Sequence, residues 1–412
     1  MGVWFATTCA GGRPVEAAKK PAPLRIAHVV SAAGWGGMEA RTLETARWQA
    51  ANGHDVMVIT PEGGETFAEA VRCGIRTAHA DFGGSDKLGG LLRFRRLLRE
   101  HGTDVADFHT NRSYAFGVRD LCALVRSRHN LGKQPSKGLK LNKEFPFHHF
   151  ISTSRAAQDA LIRSGAVRLS RSSVVGEWAE DRFFSPVISG PAVQGLRARL
   201  GLPTDRLVIG ACAMIRPDNA FDELIRATAA LRDRGLPVTC VLVGGPGERR
   251  AELSALELEL RALARDLGVE ELVKFLGHRN DVPELLSAMD VAAIVSRHTA
   301  QTRVGPEAAA RGRPVVGFSV GALGETVREG LTGRLVQPGD LPAFVGALEG
   351  LLKDRAERER IARSAELFAR QNFRQGQKME QTLRAYDQAR VGRGRRSAPN
   401  PARLDASPVQ AA

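Results

Sequence analysis

No apolar run in the chain reaches the roughly 18 residues that a bilayer-crossing helix needs, which excludes such a helix. Cysteine is scarce: Cys9, Cys73, Cys122, Cys212 and Cys240 are an odd set of five, no two of them close in sequence. That pattern argues against a disulfide framework or a zinc site. Cys212 and Cys240 lie inside apolar strand-like runs, as buried free thiols of a reducing cytosol do. No short-period repeat is present, so a solenoid is not expected. No nucleic-acid recognition module is visible, and the first glycine loop is not the dinucleotide GxGxxG pattern. The start, MGVWFATTCAGGRPVEAAKKPAP, lacks the basic opening and long apolar core of a signal peptide. Residues 1–22 are therefore expected to be a disordered lead-in, with a cleaved or misassigned start as the alternative. Residues 392–412, rich in Pro, Ala and Arg, are expected to be a disordered tail.

What the chain does have is globular. It is 43% hydrophobic and 25% charged, and 412 residues suffice for two domains with their own cores. The net charge of +14 and pI near 10.2 suit an anionic partner: nucleic acid, a phosphorylated ligand or an acidic membrane surface. An Arg-rich composition also follows from a GC-rich genome.

Short β-branched runs alternate with helix-period segments, the mark of parallel sheets covered by helices on both faces. Strands are expected at 24–31, 55–61, 75–80, 104–110, 124–129 and 148–154, then at 206–215, 237–245, 273–277, 290–296 and 314–319. Helices are expected from Met38 to Asn52 and around 220–234, 248–267, 281–288 and 305–312. The fold class is α/β: two Rossmann-like, doubly wound parallel-sheet domains facing a cleft. The first covers 23–186, a Pro- and Gly-bearing linker 187–205, and the second 206–375. A helix at 376–391 is placed to return to the first domain. Ligands of such sheets bind at the carboxyl ends of the strands.

Several segments at those ends carry candidate chemistry, each with a plainer structural alternative. Gly36 and Gly37 lie in a loop that opens a helix, where backbone N–H groups meet an anion or simply make a turn. His109 and His129 end the fourth and fifth strands; a lone histidine there is usually structural, but two at adjacent ends point into the cleft. Gly244, in Val243-Gly244-Gly245-Pro246-Gly247, receives a nucleotide base or ends a strand. Asp281 is placed as a helix cap. Glu307 opens the helix after the 290–296 strand; it either complements the helix dipole or accepts hydrogen bonds from vicinal hydroxyls such as those of a ribose. Gly321 and Ala322 begin a glycine loop whose N–H groups suit a phosphate.

In order, these pieces resemble family 4 of the retaining nucleotide-sugar glycosyltransferases, of the GT-B fold, over roughly residues 24–390. Gly36-Gly37-Met38-Glu39 is similar to that family's amino-domain glycine motif. Gly53-His54-Asp55-Val56 resembles its GHxV, and Ser152-Thr153-Ser154 its S-x-S strand end. Gly312-Arg313-Pro314-Val315 and Gly330-Leu331-Thr332-Gly333-Arg334-Leu335-Val336 match its carboxyl-domain pattern. The resemblance implies transfer of a sugar from a nucleotide-diphosphate donor to a hydroxyl with retention, by front-face attack assisted by the leaving phosphate. It implies His129 near the sugar and Glu307 on the ribose as the catalytic pair. Gly36, Gly37, Arg216, Asn219, Gly244, Thr299, Arg303, Gly321 and Ala322 are then donor-binding, with His109 and Glu39 on the acceptor side. The implied partners are a nucleotide sugar and a glycan or lipid-linked acceptor of surface polysaccharide or lipopolysaccharide synthesis. No cofactor, metal (there is no Asp-x-Asp) or nucleic acid is expected.

The departures are specific. Met214 stands where the family carries Arg, Asn219 where it carries Lys, Thr299 where it carries the first Glu of E-x7-E, and Gly176-Glu177-Trp178-Ala179 replaces its Asn-Gly stretch. Each donor aimed at a developing phosphate charge is worth roughly 3 kcal/mol, so Arg216, Arg297 and Arg303 become the candidate replacements. The alternative is a degenerate member that binds a nucleotide sugar or a partner glycosyltransferase without turnover; a non-glycosyl relative such as an epimerase is a third. Residues 85–102 form a basic amphipathic helix suited to an anionic membrane face, or to docking on the sheet. A Lys-rich stretch with Phe145 and Phe147 follows at 131–150. Both features suit a cytoplasmic enzyme peripheral to the inner membrane face.

Overall fold

The computed structural model describes residues 22–31, 34–80, 82, 86–110, 114–129, 146–165, 167–245, 255–297 and 303–397. Two parallel sheets account for the alternating pattern. The first has seven strands: β1 (Arg25–Val29), β2 (Asp55–Thr60), β3 (Arg76–His79), β4 (Val105–Phe108), β5 (Ala123–Arg128), β6 (His149–Ser152) and β7 (Ser172–Val174), in the order β3-β2-β1-β4-β5-β6-β7. The second has six: β8 (Val208–Cys212), β9 (Thr239–Val243), β10 (Val273–Gly277), β11 (Val291–Ile294), β12 (Val315–Phe318) and β13 (Gly333–Val336), in the order β10-β9-β8-β11-β12-β13. Every pairing is parallel. Helices cover both faces, so the central strands β4, β9, β11 and β12 are buried at every residue. That is why they read as continuous apolar runs rather than alternating ones.

Strand order reverses between β1 and β4 in the first sheet and between β8 and β11 in the second. Those reversals open the crevices in which ligands of this architecture sit. Two strands were not anticipated. β7 is a three-residue edge strand, Ser-Ser-Val, half-buried throughout and too short to show a period. β13 lies in the Gly330–Val336 stretch, legible as a motif but not as a strand. The helix expected at 248–267 is Ala255–Asp266 within the described residues.

Several contacts tie the domains together. Ala179 donates its backbone N–H to Phe373 O at 2.9 Å. Glu325 accepts from the backbone N–H groups of Arg155 and Ala156, at 2.9 and 3.0 Å. Its carboxylate thereby satisfies orphan donors at the start of the helix Arg155–Arg163. The helix Gln375–Ser397 then packs back on β4, β5, β6 and the helix Gly37–Ala51 of the first domain. Its Tyr386 is fully buried in a core shared with Ile26, Val105, Val125 and Ile151.

Cys122 and Cys240 are buried and free, and Cys73 and Cys212 are half-buried and free; burial pushes the Cys122 and Cys240 thiols up to about 12. Cys9 lies outside the described residues. No helix among the described residues is long and apolar enough to cross a membrane.

Candidate active site

The carboxyl ends of β1, β4 and β5 bring three histidines into single file. His28 lies within β1, His109 follows β4 and His129 follows β5. His28 Nδ1 is 2.9 Å from His109 Nε2, and His109 Nδ1 is 2.8 Å from His129 Nε2. At the inner end, His28 Nε2 is 2.8 Å from Gln49 Oε1. Beneath them Asp107 is buried, accepting from Tyr386 at 2.7 Å and Ser127 at 2.9 Å. Burial lowers all three imidazoles; for His129 the value falls to about 3, with Arg126 and Arg41 adding to the effect. Burial likewise raises the Asp107 carboxyl. The three imidazoles are thereby neutral at physiological pH.

His28, Asp107 and His109 offer ligand atoms within 4.8 Å of one another. Their 2.9 Å nitrogen–nitrogen separation is a hydrogen-bond length. Two nitrogens on a tetrahedral zinc, each at about 2.0–2.1 Å, lie roughly 3.4 Å apart. Hydrogen bonding accounts for the group.

Both domains contribute to a cluster of carboxylates threaded by two arginines, Glu44, Glu177, Glu180 and Arg41 from the first and Glu307 and Arg303 from the second. Arg303 pairs with Glu44 of the first domain at 2.5 Å, Glu307 at 3.3 Å and Glu180 at 3.5 Å. Arg41 bonds Glu177 at 2.6 Å, Glu44 at 2.9 Å and the carbonyl of Trp178 at 2.5 Å, and stacks on the Trp178 ring at 4.0 Å. Glu177 and Trp178 belong to the Gly176-Glu177-Trp178-Ala179 departure, so that stretch serves as a partner for Arg41. Glu307 is buried in the first turn of the helix Val304–Ala310. Burial raises its carboxyl, while Arg303 and Arg41 oppose the rise. Arg41 therefore acts electrostatically on both His129 and Glu307.

The remaining expected residues separate into two sets. Gly36 caps the helix Gly37–Ala51 without a side-chain hydrogen bond, and burial raises the Glu39 carboxyl while the N–H groups of Glu39 and Gly36 oppose the rise. The chain's own acid lies beside this turn, with Glu39 Oε2 3.2 Å from where a Cβ on Gly36 would stand. Arg216 is exposed, makes no ion pair among the described residues, and is close enough to Glu39 to favour its ionised form. Asn219 donates to Met214 O at 2.8 Å and closes the turn that follows β8. Gly244 is required by geometry: its φ is +144° and a Cβ there would lie 1.7 Å from Ala213 O. Gly321, at φ +54°, and buried Ala322 form the turn between β12 and Leu323–Thr326.

Three expectations change. His109, expected on the acceptor side, is buried with both ring nitrogens bonded to neighbouring histidines, so it backs His129 instead. Arg303, expected on the donor diphosphate, is held by Glu44, Glu180 and Glu307. Arg297 is held by Asp222 and Glu223 at 2.5 and 3.0 Å. Of the three candidate replacement cations, Arg216 alone remains uncommitted. Thr299 lies outside the described residues. Sequence reasoning missed His28, Gln49, Asp107, Tyr386, Arg41 and Glu44. The available signal was His28 itself, a polar residue inside the apolar run Arg25–Val29, where a buried imidazole needs partners.

Comparison with known proteins bears on the family and the fold. Residues 35–176 match the family described as Glycosyltransferase Family 4 and residues 206–354 that described as Glycosyl transferases group 1. The D-inositol 3-phosphate glycosyltransferase of Salinispora tropica is 37% identical over 199 residues, 47% of this chain and 40% of that protein. The protein of the same name from Actinosynnema mirum is 38% identical over 216 residues, 50% of this chain and 49% of that protein. The chain thus spans less than half the length of these relatives. A glycosyltransferase from Rickettsia africae superposes with TM-score 0.78 at 16% identity, covering 90% of this chain and 99% of that one. Anabaena Alr3699/HepE in complex with UDP superposes with TM-score 0.76 at 22% identity, covering 88% and 99%. These two structures share the GT-B fold with the chain.

Proposed function

The chain belongs to the group 1, family 4 glycosyltransferases, and on that premise we propose that it moves a sugar from a nucleotide-diphosphate donor to a hydroxyl acceptor with retention. The observation that carries the reading is that Arg41 of the first domain lies close enough to act electrostatically on both His129 and Glu307, and shares Glu44 with Arg303, the partner of Glu307. In this reading Glu307 accepts hydrogen bonds from the donor ribose, and the backbone at Gly321-Ala322 approaches the phosphates. His129 is neutral and bonds a substrate hydroxyl. Arg216 supplies the cation toward the leaving diphosphate that Met214 and Asn219 do not.

The test is hydrolysis and transfer across UDP-, GDP- and ADP-sugars by wild type and Glu307→Ala. We expect turnover with one donor class and its loss in the variant. Measurable donor binding with no turnover across the whole panel would sink the transferase reading and favour the non-catalytic one, which Met214 and Asn219 support.

The acceptor has two readings. A surface glycan or lipid-linked glycan suits the exposed face of the helix Lys87–His101. Leu88 and Leu92 there are 70% and 58% exposed, and nearby Phe116 is 70% exposed, beside the exposed Lys87, Arg96 and Arg99. A phosphorylated polyol suits the +14 charge and the names of the curated relatives. Inositol phosphate and lipid-linked sugars offered in parallel, with the donor fixed, separate them. Co-sedimentation with anionic-lipid vesicles, lost in Leu92→Glu with Arg96→Glu, tests the membrane face; binding unchanged by that pair would remove it. Arg95 is unsuitable for this test, since it is held by Asp120 at 2.6 Å.

A further inference from the structure

The file from His129 to Tyr386 has one self-consistent direction. Tyr386 has a single proton, given to Asp107 Oδ2 at 2.7 Å, and Ser127 gives the same oxygen another at 2.9 Å. Asp107 Oδ1 has no partner, so the carboxyl group acts as an acceptor with nowhere to send a proton of its own. The Tyr386 oxygen then turns lone pairs toward Gln49. Gln49 favours the ionised form of Tyr386, while its own amide nitrogen makes no hydrogen bond. Gln49 Oε1 lies 2.8 Å from His28 Nε2 and, having no proton to give, accepts from an Nε2–H.

A neutral imidazole carries one proton. With Nε2 protonated, His28 Nδ1 is a bare acceptor, so His109 donates from Nε2 across 2.9 Å. The same step leaves His109 Nδ1 bare and makes His129 donate from Nε2 across 2.8 Å. The lone pair of His129 Nδ1 is then left over at the carboxyl end of β5. Reversing the file would set the Gln49 amide oxygen against a Tyr386 oxygen whose proton is already committed. Two acceptors facing each other in a buried site are costly.

We propose that Tyr386, Asp107 and Gln49 are positioning residues that hold His129 as its Nε2–H tautomer and present its Nδ1 to the cleft as a hydrogen-bond acceptor for a hydroxyl-bearing substrate. The tautomer follows from the hydrogen bonds; the substrate role rests on the transferase reading above. The charged groups that face the file are Asp107 from β4, Arg126 from β5 and Arg41 from the helix Gly37–Ala51. Asp107 favours a protonated ring, and the two arginines and burial disfavour it. The consequence is unusual for a site histidine: His129 serves as a fixed acceptor and does not cycle protons near neutrality.

The experiment is nitrogen NMR of the full chain labelled with 15N-histidine, reading two-bond ring correlations at pH 7 and 5.5. Single His→Gln variants assign the rings. The expected wild-type spectrum shows His28, His109 and His129 in the neutral Nε2–H form at both pH values. In Tyr386→Phe, His28 moves to a mixture of tautomers. An Nδ1–H form at any of the three rings in wild type overturns the proposal, and so does a Tyr386→Phe spectrum identical to wild type. The wild-type spectrum alone decides the direction of the file, whatever the variant does to stability. In a transfer assay Tyr386→Phe is expected to lower kcat about tenfold with KM unchanged. Wild type without transfer but with the expected tautomers would sink the transferase reading and leave this assignment standing.

Discussion

Arg303→Gln is the most informative substitution because it separates two roles for one cation. The side chain is a quarter exposed, while its partners Glu44, Glu180 and Glu307 are 11, 22 and 7% exposed. Removing one member of a buried pair costs about 3–5 kcal/mol. Solvent access to the arginine and the remaining Arg41 reduce this to about 2–3 kcal/mol. For domains of this size that lowers the thermal midpoint by about 4–12 °C. The loss also depends on pH with a definite sign. Burial raises the Glu307 carboxyl above its ordinary value and Arg303 is the main group opposing the rise. Without Arg303 the folded-state value climbs further. Between the unfolded and folded values the native state then binds more protons, so stability falls as pH rises through that window. The midpoint deficit should therefore be larger at pH 8 than at pH 5.5, measured by scanning calorimetry on wild type and variant. A deficit under about 1 °C, joined to a large rise in donor KM, would refute this reasoning and return Arg303 to the diphosphate.

Arg216→Ala is expected to lower kcat about a hundredfold with the thermal midpoint unchanged, in the same donor assay; unaltered kcat would show that the leaving group is stabilised elsewhere. Gly244→Ala combines a φ of +144° with a Cβ 1.7 Å from Ala213 O. It should cost about 3 kcal/mol or more, visible as a reduced urea midpoint. Glu325→Ala removes the acceptor of Arg155 and Ala156 N–H across the domains. Small-angle scattering should then show a larger radius of gyration, while an unchanged radius would mean that the latch holds nothing shut.

How far the sequence reached depended on how local each feature was. β1, β2, β4, β8, β9, β11 and β12 were legible because doubly covered parallel strands are written as apolar runs. β7 was not, being three half-buried residues, Ser-Ser-Val, at a sheet edge. Glu307 and the histidines at strand ends were legible from position, since topology alone sends strand carboxyl ends to the crevice. Their partners were not. Arg303 meets Glu180 across 123 positions, Glu325 meets Arg155 across 170, and Tyr386 meets Asp107 across 279. No periodicity encodes such pairs. The same blindness made Arg297 and Arg303 look available when their charges were already spent on acids.

The return of Gln375–Ser397 to the first domain sets an order of events during synthesis. Leu383, Ala385, Tyr386 and Ala389 complete an apolar layer begun by Leu24, Ile26, Val105, Ala123 and Val125. Domains emerge from the ribosome amino end first and fold as units. Here the amino-terminal sheet emerges first yet keeps part of one face uncovered until residues 375–397 appear. The second domain, whose strands β8–β13 are contiguous in sequence, has all its strands while the first still waits for its cover. The earlier-made half is thus the later to be sealed, and a ribosome stalled before residue 375 leaves that sheet face open to misassembly.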